Sequence, residues 1–286
     1  MSPTRLGQNF LVAGWRARIA SLLAARSGEA WVEIGAGHGE MTEQFARAGA
    51  RVNAIELDKN LAATLRSRAQ AWPNVKVIEA DVLKVDLAEI AVAPSFKVYG
   101  NIPYYITSPI LHRIFDASTN HPGAVLSAHL VMQLEVAARL TARPGKSAGG
   151  KEYGYLSAAT QFHSKPEILL KIPPGAFRPQ PKVASALVKL SFPGEGVNLS
   201  IRDTDAFLTF VQGCFAQKRK TLANNLRGMN LMRRSGKDRN DARPPAGAAS
   251  KLHLEIMDES GIEAGARAEQ LGLAQFAALY RALEKV

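Results

Sequence analysis

Between residues 30 and 131 the chain repeats one pattern several times, a short apolar run followed by a longer amphipathic stretch. The runs at 30–34, 52–55, 75–78, 96–99 and 124–131 have the length and residue types of buried strands. Apolar residues at helical spacing predict helices at 15–26, through Ile19, Leu22 and Leu23, and at 40–48 and 61–69. When each strand is followed by a helix, the helix carries the chain back to its starting edge, so neighbouring strands run parallel. The expected fold is therefore α/β, a doubly wound, Rossmann-like sheet. Two later strands, near 166–172 and 184–190, flank a proline-rich stretch at 173–182 and are expected to pair antiparallel at the sheet edge.

After Pro193 the texture changes. Segments 203–217, 218–228 and 267–285 have helical spacing, and no strand is read there. Two domains are expected: 1–193 with the sheet, and 194–286 as a small all-α domain. Residues 144–151 and 232–250, rich in small residues, proline and cations, read as exposed loops.

Lys and Arg outnumber Asp and Glu by 36 to 25, a net charge of +11 that points to a polyanionic partner, nucleic acid or an anionic membrane. The surplus is concentrated. From Lys218 to Arg243 there are nine cations against Asp238 and Asp241, and Arg5, Arg16, Arg18 and Arg26 lie in a stretch without an acid. Clustered charge of this kind binds phosphates. The single cysteine, Cys214, excludes an internal disulfide and sits in an apolar helical stretch, as a core thiol would. No signal-peptide run follows Met1, and no stretch reaches transmembrane length. A soluble, cytoplasmic monomer without a membrane partner is expected.

The first strand runs into Glu33-Ile34-Gly35-Ala36-Gly37-His38-Gly39. Gly35 and Gly37 let the backbone approach a ligand with no Cβ in the way. Glu56 closes the second strand, where a carboxylate can accept hydrogen bonds from both hydroxyls of a ribose. Asp81 ends the third, placed to accept from an adenine amino group. A dinucleotide site wants a small residue three places after the second glycine, and here that place holds the anion Glu40. The Gly-x-Gly-x-Gly spacing suits S-adenosylmethionine better, since that cofactor has no phosphates. A tight turn without a ligand is the alternative. No metal is expected.

After the fourth strand stands Asn101-Ile102-Pro103-Tyr104. An exocyclic adenine amine is a poor nucleophile because its lone pair is delocalised into the ring. The Asn101 side-chain oxygen and the Ile102 carbonyl can accept its two hydrogens and favour a pyramidal nitrogen. Pro103 stiffens the turn, and Tyr104 offers a face for an extruded base. Loops of this form mark enzymes that methylate exocyclic amines, and the Asn-Ile-Pro-Tyr version resembles the rRNA adenine-N6 dimethyltransferases.

Further segments extend the resemblance to the KsgA-type small-subunit (16S) rRNA adenine dimethyltransferases over nearly the whole chain. Gly7-Gln8-Asn9-Phe10-Leu11 is similar to the family's N-terminal signature, Phe177-Arg178-Pro179-Gln180-Pro181-Lys182-Val183 to its Phe-x-Pro-x-Pro-Lys-Val loop, and Gln217-Lys218-Arg219-Lys220-Thr221-Leu222 and Arg267-Ala268-Glu269 to later motifs. The resemblance implies cofactor contacts from Gln8, Asn9, Leu11, Gly35, Gly37, Glu56, Leu57, Asp81, Val82 and Asn101. It implies Phe177 as a second jaw opposite Tyr104, with core packing as its rival role. RNA contacts are expected from Lys182, Lys218, Arg219 and Lys220. The implied reaction is two methyl transfers to N6 on each of two adjacent adenosines near the 3′ end of 16S rRNA, linked to ribosome biogenesis. Leu134 stands where the family usually has Lys, and 144–151 and 229–250 are insertions. A large-subunit (23S) rRNA adenine methylase of the macrolide-resistance type shares the fold and the tetrapeptide. A non-catalytic ribosome-assembly factor with the same fold is a rival from another class. A DNA adenine methylase is a weaker rival, since nothing here resembles a sequence-reading DNA domain.

Overall fold

A computed structural model describes residues 9–145, 152–229 and 246–285, with backbone alone for 246–252. In chain order the strands are β1 (Phe10–Leu11), β2 (Ala30–Ile34), β3 (Arg51–Glu56), β4 (Val75–Glu79), β5 (Phe96–Asn101), β6 (Val125–Gln133), β7 (Lys165–Ile172), β8 (Phe177–Arg178) and β9 (Ser185–Ser191). The helices are α1 (Ala13–Leu23), α2 (Glu40–Arg47), α3 (Lys59–Ala69), α4 (Leu87–Ala91), α5 (Thr107–Asn120), α6 (Leu134–Thr141), α7 (Tyr155–His163), α8 (Thr204–Cys214), α9 (Leu222–Gly228), α10 (Ala246–Glu259) and α11 (Leu273–Leu283). The chain divides into two compact units, one holding residues up to Ala138 with His163–Gly194, the other Arg139–Phe162 with the residues from Glu195 onward.

The first unit is a seven-stranded sheet in the order β4-β3-β2-β5-β6-β9-β7. β2 pairs in parallel with β3 on one side and β5 on the other, and β9 pairs antiparallel with both β6 and β7. The late pair of strands thus closes one edge as the sequence suggested. All five residues of β2 are buried, which is why the strand reads as a continuous apolar run broken only by Glu33. On one face Trp31 stacks on Phe45 at 4.7 Å, and Tyr99 meets Phe45 edge-on at 5.6 Å. Ile19, Leu23 and Leu65 belong to the same buried cluster.

Local chemistry sets several boundaries differently from the sequence expectation. α1 stops at Leu23 because Ala24 turns left-handed (φ 45°) and its N–H returns to the Ala20 carbonyl. α3 starts two residues early because Asp58 caps the N–H groups of Asn60 and Leu61. Unread helices include α5, whose Pro109 lies in the first turn, where a missing N–H does no harm. The two-residue strands β1 and β8 were also not anticipated. They pair antiparallel, Phe10 opposite Arg178 and Leu11 opposite Phe177.

In the second unit, Phe207 packs with Phe162 and Tyr280, each at 5.5 Å, and Phe215 with Phe276 at 5.6 Å. Here the expected division at 193/194 needs correction. Residues 139–162 pack with the helical unit because Tyr153, Ala158 and Phe162 are buried in its core. The helix expected over 218–228 covers only Leu222–Gly228, and the residues before it form a turn. Buried Asn225 shapes that turn by donating to the carbonyls of Cys214 (2.8 Å) and Gln217 (3.3 Å). Cys214 is fully buried, and burial pushes its thiol pKa up. Of the loop expected at 144–151, all beyond Gly145 lies outside the described residues; so does the 232–250 stretch up to 245, and 246–250 open α10. No helix among the described residues is long and apolar enough to cross a membrane.

Glu33 is an acid inside the core. It is 2% exposed and accepts a hydrogen bond from the Thr42 hydroxyl at 2.5 Å. Burial pushes its pKa up to about 8; the Thr42 bond opposes the shift, and Glu40 and Glu56 add to it. The folded state therefore holds a proton that the unfolded chain releases near its ordinary value of 4.5. The contribution of Glu33 to stability is fully present below that value and is lost as pH rises through about 8. The slope is at most about 1.4 kcal/mol per pH unit. Urea titrations from pH 5 to 9 are expected to show this decline in the parent and a flatter profile in Glu33→Gln. Parallel profiles would mean that Glu33 is already ionised when folded.

Candidate active site

Winding reverses at β2, since the chain moves outward to β3 and β4 on one side and to β5 and β6 on the other. The carboxyl ends of such strands leave a crevice between the loops that depart in opposite directions. A cavity opens there. Its walls include Asn9, Leu11, Gly35, Gly37, Glu56, Leu57, Asp81, Val82 and Asn101 with Ile102, Pro103 and Tyr104. All these residues were singled out in the sequence. Gln8 lies outside the described residues.

The glycine turn follows β2 directly. Gly35 and Gly37 both adopt positive φ, at 69° and 57°. At Gly39 (φ 80°) an added Cβ would lie 2.2 Å from the Leu65 side chain, so the third glycine lets α3 pack against this turn. Glu56 at the end of β3 is held through both carboxylate oxygens, by the Gly37 N–H at 2.8 Å and the Asp58 N–H at 2.9 Å. Each oxygen keeps a second lone-pair direction for a ligand hydroxyl. Asp81 uses one oxygen to cap the Leu83 N–H at 3.0 Å; its other oxygen lies 3.9 Å from Lys84.

The tetrapeptide loop leaves β5 on the other side of the reversal. The Asn101 side-chain nitrogen donates to the Asn9 carbonyl at 2.8 Å. That bond decides which way the amide points, leaving its oxygen as the acceptor on the remaining side. The Ile102 N–H is held by the Val131 carbonyl at 3.3 Å, so the backbone of the loop is tied to β6. Pro103 leads into a single 3-10 turn, Tyr104–Ile106.

Charge in the cavity runs opposite to charge on the chain. Glu40, Glu56 and Asp81 line it, with buried Glu33 holding its proton, against one cation among the described residues, Arg16, which lies 3.7 Å from Glu40 and donates to the Leu11 carbonyl at 2.5 Å. Glu40 and Glu43 occupy the first turn of α2, where a dinucleotide would place its pyrophosphate. This donor set suits a nucleoside ligand that carries positive charge and no phosphate.

Phe177 departs from its expected role. It is 1% exposed, belongs to the buried cluster around Trp31 and Phe45, and does not reach the cavity wall. Pairing of β8 with β1 accounts for this: it sets Phe177 opposite buried Leu11 and leaves Arg178 exposed. Core packing, the rival role, is the one observed. The exposed aromatic at the rim is instead Tyr105, 65% accessible and lining the cavity. Sequence reading passed over it, though its place beside the tetrapeptide was a usable signal. Arg16, Glu33 and Tyr99 are further wall residues missed.

Among the expected phosphate contacts, Lys182 is exposed on the loop before β9. In the helical unit Lys218, Arg219 and Lys220 are all exposed on the turn before α9, and none has an ion pair among the described residues.

Comparison with known proteins adds an independent line. A family model described as ribosomal RNA adenine dimethylase matches residues 2–240. Among curated relatives named ribosomal RNA small subunit methyltransferase A, that of Acidobacterium capsulatum is 41% identical over 283 residues, 98% of this chain and 90% of that protein. The Pseudomonas putida protein of the same name is 35% identical, over 96% of this chain and 92% of its own. Among solved structures, a dimethyladenosine transferase from Plasmodium falciparum matches with a TM-score of 0.76 at 25% identity, over 96% of this chain and 98% of that one. The 23S rRNA methyltransferase ErmE matches at 0.66 and 26% identity, over 96% and 100%. The family match takes in the glycine turn, the two strand-end carboxylates and the tetrapeptide loop together, and on that breadth the chain belongs to the ribosomal RNA adenine dimethylase family.

Proposed function

We propose that the protein transfers methyl groups from S-adenosylmethionine to N6 of adenosines in small-subunit (16S) rRNA, forming dimethyladenosine on two adjacent residues near its 3′ end. The observation that carries this reading is the fixed Asn101 amide beside an acid-lined nucleoside cavity. Curated relatives named for the small subunit, similar over almost the whole chain, favour that rRNA over the large-subunit alternative.

When bound, S-adenosylmethionine would supply an electrophilic methyl group on a sulfonium. Glu56, with both oxygens already oriented, would receive the ribose hydroxyls, and Asp81 the adenine amino group, flanked by Leu57 and Val82. Asn9, Leu11, Gly35 and Gly37 would complete the wall around it. The acidic lining would stabilise the positive charge electrostatically.

On the substrate side, the Asn101 oxygen and the Ile102 carbonyl would accept the two N6 hydrogens and turn the nitrogen lone pair toward the methyl group. Tyr104 would stack on the extruded base, a contact of roughly 1–3 kcal/mol that helps offset the few kcal/mol lost on unstacking. Alignment would supply most of the rate enhancement. The amine becomes acidic once alkylated, so no strong general base is required. Every residue in this scheme comes from one chain, so a monomer suffices, and an rRNA substrate agrees with work in the cytoplasm.

Exposed Lys182, Lys218, Arg219 and Lys220 would contact rRNA phosphates, which position the substrate while the cavity selects the base.

Three measurements test these roles. Mass spectrometry of rRNA from undermethylated small subunits should show no dimethyladenosine with Asn101→Ala, while filter binding shows RNA affinity nearly unchanged. Turnover retained in that variant removes the mechanism. Calorimetric titration with S-adenosylmethionine should show affinity reduced at least tenfold in Glu56→Ala; unchanged affinity would move the ribose elsewhere. Replacing Lys218, Arg219 and Lys220 by Ala should weaken rRNA binding and flatten its salt dependence by about one log unit per lost phosphate contact. An unaltered salt slope would take these cations out of the interface.

A further inference from the structure

The Tyr104 hydroxyl lies 2.8 Å from the hydroxyl oxygen of Ser185. Ser185 has no exposed surface and opens β9, paired with Gln133 on one side and Ile172 on the other. Its position is therefore set by three strands. Tyr104 stands on a single 3-10 turn, half-buried at the cavity wall. A ring carried on a turn can rotate about two side-chain torsions unless its far end is held.

Such pairing is not automatic in this chain. The buried hydroxyls of Tyr99 and Tyr153 have no partner among the described residues. The Tyr104 hydroxyl, in contrast, points to the sheet and finds one. With Phe177 in the core, no second ring at that position confines a base from the other side. Phe177 then does not fix the plane of Tyr104, whereas a hydrogen bond at its far end can.

We infer that Ser185 is a positioning residue for methyl transfer, tethering the Tyr104 phenol so that the ring presents a fixed plane to the target adenine. The inference rests on the proposed stacking role of Tyr104. Base stacking sets where N6 sits relative to Asn101, and small errors in such placement lower the chemical step more than binding. The bond itself is neutral and modest in strength, so its loss should cost about tenfold in kcat.

Steady-state kinetics on undermethylated small subunits with Ser185→Ala, Tyr104→Phe and the double variant test this. Each single change is expected to lower kcat about tenfold, with KM for S-adenosylmethionine and the melting temperature nearly unchanged. The double variant should be no slower than either single one, because all three lack the same bond. Wild-type kcat in Ser185→Ala, or losses that multiply in the double variant, would overturn the inference. Should Ser185→Ala unfold, Tyr104→Phe decides, since it deletes the bond without touching β9; full kcat there refutes the tether. Tyr104→Ala separates the two levels of argument. An active Tyr104→Ala enzyme defeats the stacking role itself, whereas an inactive one beside a fully active Tyr104→Phe defeats the tether alone.

Discussion

A parallel sheet that winds both ways from one strand must leave a gap where the departing loops part, and this molecule places its chemistry in that gap. Because β2 lies between β3 and β5, the glycine turn and the tetrapeptide loop leave neighbouring strand ends in opposite directions. Every residue of β2 is buried, so the floor of the gap is held by the core itself. Loops anchored on strands this deeply buried can present polar groups to a ligand without carrying the cost of their own disorder into binding.

The polar groups assigned to ligand contact are each held by a second group of the protein. Two backbone N–H groups orient Glu56, a backbone N–H holds one oxygen of Asp81, and the Asn9 carbonyl turns the Asn101 amide. The Tyr104 phenol is held at its hydroxyl by Ser185. A site with its dipoles already oriented needs little reorganisation when charge shifts in the transition state. Aligning an amine with an electrophilic methyl group makes that demand, and an enzyme without a strong base has little else to draw on.

How much of this was legible depended on distance along the chain. The strand runs, the three glycines, Glu56, Asp81 and Asn101–Tyr104 each carry their signal within a few residues, and the structure brings Gly35, Gly37, Glu56, Asp81 and the tetrapeptide to one cavity. The holding groups lie far away: Asn9 is 92 residues from Asn101, and Ser185 is 81 from Tyr104. No local spacing announces such pairs. Phe177 shows the same limit from the other side. Its motif resembles that of a base clamp, but burial depends on the pairing of β1 with β8, two-residue strands too short to carry a periodic signal. Residues 139–162 were assigned by chain order, whereas the aromatic packing of Tyr153 and Phe162 decides where they belong.

The proposed reaction also sets two electrostatic requirements that conflict if met by the same surface. A polyanionic substrate calls for net positive charge, which the chain has at +11, while a cationic cofactor calls for the opposite. The chain separates them by depth. Lys182 and the Lys218–Lys220 turn are exposed, where they would meet a phosphate backbone at close range, their field being screened beyond about 10 Å at moderate salt. The carboxylates are gathered at the cavity, with Glu56 at 3% exposure, where screening is weak and short-range attraction dominates. Glu33 completes the argument, because four ionised acids around one small cavity would repel one another strongly. Burial raises its pKa to about 8, so near neutral pH it adds little to that repulsion while Glu40, Glu56 and Asp81 still favour a cation.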